Sequence, residues 1–150
     1  LGIGASAQGR TDVRSALLER RSVIAVVPAA LHAGKAATIT WRELASHPFI
    51  GLLPDSPFRQ LVDQQFARLG LSPAMVIEAC NQRIAFQMAE CGAGITLVDA
   101  RYLPQAPAAG VRFLQLDEPM HWDCHLIFPR HEIAHHALRS FAGFLRKQAC

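Results

Sequence analysis

The sequence has 150 residues, about half of them apolar, which allows a sizeable core in one domain or in two small lobes. Its net charge is +3 and no run of five or six basic residues occurs, which argues against a surface that grips phosphates directly. No apolar run reaches the roughly 18–20 residues that span a bilayer, and four cysteines without a C-x-x-C pair exclude a disulfide framework and suit a reducing cytoplasm.

In chain order, residues 1–4 read as the end of a strand. Residues 12–20 read as a short helix with Val13, Ala16 and Leu17 on one face. Residues 22–27, SVIAVV, form a strand stopped by Pro28. TWRE at 40–43 matches a capping box, and the helix it opens ends before Pro48. A strand follows at 48–53. Ser56 suits an N-cap and Pro57 the first helical position, with Phe58, Leu61, Val62, Phe66 and Leu69 forming an apolar stripe that ends at Gly70. Residues 74–79 read as a strand, 81–91 as a helix, and 95–98 as a buried strand. A glycine at 92 or 94 closes the helix in a left-handed conformation. Residues 104–110 are a loop, 111–116 and 123–128 two strands, and 134–147 a last helix with Ala137, Leu138, Phe141, Phe144 and Leu145 inward.

Strands alternating with helices of this length point to βαβ units and a parallel sheet. In such sheets a ligand sits beyond the carboxyl ends of the strands, where strand order reverses. Helices start there at 56–59 and 80–82. Their free N–H groups favour an anion such as a carboxylate.

The segment from Trp41 to Ala100 resembles the effector-binding domain of LysR-type transcriptional regulators. Leu44–Ala45, Pro48–Ile50, Ser56–Arg59, Leu69–Leu71, Val76–Ala79 and Gly92–Val98 follow the family's pattern in order and spacing. RSVIAVVPAALHAG resembles the strand and loop that precede them, and LRSFAGFL the usual last helix. The LVDA ending is similar to members that sense amino acids or opines.

The resemblance implies a periplasmic-binding-protein-like (type 2) α/β fold of two Rossmann-like lobes joined by crossing strands. Lobe one would comprise residues 1–45 and 118–150, and lobe two residues 46–117. It also implies an N-terminal winged helix-turn-helix and a linker helix that this sequence lacks. The first βαβα part of lobe one is missing too, which leaves lobe one incomplete and removes one wall of the effector cleft.

Ser56 and Arg59 fall where family members contact effector, although Ser56 also suits a plain cap and Arg59 a solvated helix surface. Cys80, Asn81 and Gln82 open the second helix beside the crevice, where they equally suit plain capping; Asn and Gln can each donate and accept toward a zwitterion. Thr96 and Asp99 flank the following strand, where Asp99 suits an ammonium group or, equally, a plain surface-loop acid. Ser6 is a candidate on the lobe-one wall.

Other patterns carry less. HEIAHH puts His131 and His135 at zinc spacing without a third ligand, so no metal is expected. In HWDCH, strand alternation turns Cys124 away from His121, Asp123 and His125, which argues against catalysis. GIGASA fits a dinucleotide pattern with no helix close behind it, so no cofactor is expected.

The expectation is a cytoplasmic, non-enzymatic sensor of a small anionic or zwitterionic metabolite bound between two lobes. It would meet DNA only through a domain absent from this chain, make no membrane contact, and assemble as a homodimer or homotetramer. A transporter's solute-binding protein is the alternative of the same fold.

Overall fold

The computed structural model describes residues 2–5, 11–31, 36–103, 110–130 and 140–145. In order these form β1 (Gly2–Gly4), β2 (Val13–Pro28), β3 (Thr38–Ile39), α1 (Trp41–Ser46), β4 (Pro48–Leu52), α2 (Pro57–Arg68), β5 (Ala74–Ala79), α3 (Gln82–Glu90), β6 (Ile95–Asp99), a 3-10 turn (Ala100–Tyr102), β7 (Val111–Leu116) and β8 (His121–Pro129). Residues 140–145 are helical.

The chain divides into two compact units, Leu1–Arg21 with His121–Cys150, and Ser22–Met120. The second unit therefore begins at Ser22. The reason is β2, whose later residues lie between β6 and β7 and pair antiparallel with both.

In the second unit the strand order is β5-β4-β6-β2-β7-β3. β4 is parallel to β5 and to β6, and β3 is parallel to β7. Five strands thus run one way and β2 runs against them. β6 is buried along its whole length, as a strand covered on both faces must be.

Phe49 shares a row with Ile95 across β4 and β6, and β2 continues that row to Arg112, so Phe113 points to the other face. Phe66 of α2 packs edge-on against Phe49 at 5.5 Å and against Trp41 of α1 at 5.0 Å. Phe86 of α3 stacks on Phe113 at 6.1 Å. Helices α2 and α3 therefore cover opposite faces of one sheet.

Both helices end in the same way. Gly70 has φ 66° and Gly92 φ 82°. Leu71 donates back to Phe66 and Gly70 to Ala67, while Ala93 donates to Met88 and Gly92 to Ala89. These paired bonds satisfy the last carbonyls and need a left-handed residue between them. Gly94 is required for another reason: a Cβ there would lie 2.5 Å from the Pro48 carbonyl oxygen.

In the first unit β8 lies between β1 and β2, antiparallel to β1. Residues 12–20 are strand, not helix. Val13, Ala16 and Leu17 match helical spacing, but pairing across the sheet decides. Arg130 N donates to Asp12 O, and Arg20 forks onto Asp123 at 2.7 and 2.8 Å. Ala16 and Leu18 then face Leu126 and Phe128, while Leu17 is exposed.

In residues 140–145 Ala142 and Leu145 face inward, Leu145 as expected, whereas Phe141 and Phe144, expected inward, are exposed. Ala137, Leu138, the 104–109 loop, Ser6 and the histidines of HEIAHH lie outside the described residues.

Candidate functional site

The chain runs β4, α2, β5, α3, β6, and β4 lies between β5 and β6. Strand order therefore reverses between β4 and β6, and the carboxyl edge at that point is the crevice position of open α/β sheets. Three segments turn there: 53–56 after β4, Cys80–Asn81 after β5, and Asp99–Arg101 after β6.

The first turn is closed by backbone bonds. Leu53 N donates to Ala79 O at 3.1 Å and Ser56 N to Leu53 O at 3.0 Å. Pro57 takes the first helical position, where a missing N–H costs nothing. Ser56 is the N-cap residue by backbone, yet its side chain makes no capping bond. Its half-buried hydroxyl is left for another partner.

The second turn is tied to the third. Asn81 caps α3, its Oδ1 accepting from Ile84 N at 3.0 Å, and its Nδ2 donates to the exposed Cys80 Sγ. Gln82 is buried, and its Oε1 accepts from Asp99 N at 2.6 Å. Asp99 is buried at the end of β6 and accepts from Arg101 N at 2.9 Å. Gln82 thus welds the start of α3 to the end of β6.

Two expected site residues hold structural posts. Thr96 is buried, and its hydroxyl donates to Ile50 O at 2.8 Å, linking β6 to β4. Arg59 lies flat along the sheet edge with a side chain only 13% exposed. Nε donates to both Asp63 oxygens at 2.9 and 2.8 Å, and Nη1 to Leu52 O at 2.6 Å and Glu78 Oε1 at 3.0 Å. Burial disfavours its charge, but hydrogen bonds to Asp63 and Glu78 and their negative charges outweigh it and raise its pKa.

Sequence reasoning missed this group. The i, i+4 spacing of Arg59 and Asp63 and the glycine inside the strand FIGLL were its signals. A small cleft beside it, lined by Gly51, Phe58, Arg59 and Thr96, has room for about one water.

A larger groove of about 360 Å³ runs along α3 to the 3-10 turn. Among the described residues it is lined by Arg83, Phe86, Gln87, Glu90, Arg101 and Tyr102. Its two guanidinium groups, absent from the expected site, outnumber its one carboxylate, that of Glu90.

In the first unit, His121 is exposed and Cys124 is buried. The Asp123 carboxyl is held below the usual carboxylate range by the Arg20 hydrogen bonds, against a small burial effect. A carboxylate engaged by a guanidinium is a poor partner for a catalytic imidazole, and the thiol faces the core side with Leu126 and Phe128.

The family model of the LysR substrate binding domain matches residues 1–150. No curated protein matches the sequence. Among solved structures, the LysR family regulator HinK from Pseudomonas aeruginosa superposes with a TM-score of 0.83 at 20% identity, over 98% of this chain and 52% of that one. The Synechocystis PCC6803 CcmR regulatory domain in complex with 2-PG gives 0.85 at 18% identity, over 98% and 72%. The QuiR effector-binding domain in complex with shikimate gives 0.86 at 18%, over 98% and 70%. The chain thus spans about half of HinK and about 70% of the isolated domains.

Proposed function

Because this chain belongs to the LysR substrate-binding domain family, we propose that it is the effector-sensing domain of a bacterial LysR-type transcriptional regulator. The fold is the periplasmic-binding-protein-like type 2 arrangement of that family. The ligand is a small anionic or zwitterionic metabolite, amino-acid-like compounds included. It sits at the carboxyl edge of the second unit's sheet.

The observation that carries this reading is the meeting of three turns at the switch point between β4 and β6. Ser56 offers a hydroxyl without a capping bond, and the first amides of α2 and α3 favour negative charge. Cys80, Asn81, Gln82 and Asp99 frame the other side. Arg83 and Arg101 add cationic groups suited to a carboxylate, and exposed Asp55 adds a partner for an ammonium group.

CcmR and QuiR, solved with 2-PG and with shikimate, support a small metabolite as the ligand class. Differential affinity for two arrangements of the protein would shift their populations. In the whole cytoplasmic protein, a homodimer or homotetramer, that shift would alter how a separate helix-turn-helix domain meets DNA.

Thermal-shift measurements with amino acids and organic acids, shikimate included, test the reading. A stabilising response from one compound class, lost in Ser56→Ala, is the expected result. Absence of any response would count against sensing by this chain.

A further inference from the structure

The arrangement around Arg59 has a purpose that effector contact does not explain. Its guanidinium lies over β4 where the strand has no side chain. A Cβ on Gly51 would meet Met75 Sδ at 2.7 Å and Arg59 Nη1 at 3.1 Å. The strand glycine therefore makes room for the Met75 thioether and, beside it, for the guanidinium.

From there Nη1 reaches the carbonyl of Leu52, the last residue of β4, and Glu78 on β5, while Nε grips Asp63 one turn further along α2. One side chain ties β4, β5 and α2 together at the turn that carries Ser56. Charge-assisted bonds of this kind are the strong ones, and only a planar fork can serve acceptors in these directions at once.

We infer that Arg59 is a positioning residue: seated over Gly51, it locks the turn at 53–56 and so presents the Ser56 hydroxyl and the first amides of α2 to the ligand. The ligand-presenting part of this inference rests on the sensing reading, whereas the lock itself does not.

Amide hydrogen exchange by mass spectrometry tests the lock on the protein as it stands. Arg59→Met is expected to speed exchange at Leu53 and Ser56 by roughly tenfold or more, with Arg59→Lys intermediate. Arg83→Ala removes a charge without touching the turn and is expected to change nothing there. Wild-type exchange at these amides in Arg59→Met would overturn the lock. Should that variant fail to fold, the Asp63→Ala, Glu78→Ala double variant takes its place and the same two results decide.

Ligand binding separates positioning from direct contact. The twenty amino acids, shikimate and benzoate serve as probes on the wild type. For any that binds, Glu78→Ala, which lies outside the proposed contact residues, is expected to weaken affinity several-fold in step with faster exchange. Unchanged affinity in Glu78→Ala alongside faster exchange would overturn the presenting role. If no probe binds the wild type, the sensing reading fails by itself while the exchange result still decides the lock.

Discussion

Replacing Gly94 with alanine perturbs the pairing on which the switch point depends. The new Cβ would lie 2.5 Å from the Pro48 carbonyl oxygen, 3.0 Å from its carbon and 3.3 Å from Ile50 Cγ1. Restoring even 3.0 Å to the oxygen demands a shift of 0.5 Å in backbone. That backbone begins β4, whose next residue, Phe49, is paired with Ile95.

Overpacking of this kind costs about 1–3 kcal/mol. The φ of 157° lies at the edge of the region side chains avoid and adds about 1 kcal/mol. The sum is about 2–4 kcal/mol. Gly92→Ala is the control. It has φ 82° but open space around the new atom, so only the backbone cost of about 1–2 kcal/mol applies.

Urea unfolding followed by circular dichroism measures both. With a slope of about 2 kcal/mol per molar, a loss of about 3 kcal/mol moves the midpoint by roughly 1.5 M. Gly94→Ala no more destabilising than Gly92→Ala would refute the argument from close approach.

Phe66→Ala removes the ring shared by Trp41 and Phe49 and is expected to cost about 3–5 kcal/mol in the same assay, with Phe66→Leu near 1 kcal/mol. Asn81→Ala is expected to cost about 1 kcal/mol through the lost cap, whereas Ser56→Ala, which breaks no capping bond, stays within about 0.5 kcal/mol. Asp123 is held below its unfolded pKa by Arg20. Its contribution is therefore present above the unfolded value and lost as pH falls through the lowered folded one. Asp123→Asn is accordingly expected to flatten the loss of stability in acid titrations, by a small amount because Arg20 is exposed.

The second unit was largely legible in its sequence because its signals were local. The Thr40–Glu43 capping box, Pro57 at a helix start, and the glycines after α2 and α3 all act within a few residues. β2 was not, because its outer half is strand by virtue of β8, about a hundred residues away, and local spacing mimics a helix. Phe141 and Phe144 misled for a related reason: two large aromatics suggest an inward face, but Ala142 packs inward beside the correctly read Leu145.

At the candidate site, junctions were readable and commitments were not. Sequence places Ser56, Asn81 and Asp99 at strand ends. It cannot reveal that Arg59 is already spoken for by Leu52, Asp63 and Glu78, or that Thr96 is bonded to Ile50, because those partners come together only in the folded sheet.

The most direct measurement is a ¹⁵N-resolved NMR titration of the chain with compounds from the thermal-shift panel. Binding at the switch point predicts the largest shifts at the amides of Ser56, Phe58, Asn81, Gln82 and Asp99, all at the carboxyl edge. Shifts centred instead on the β3–β7 side of the sheet or on the Leu126–Phe128 face, with those five amides unmoved, would contradict it.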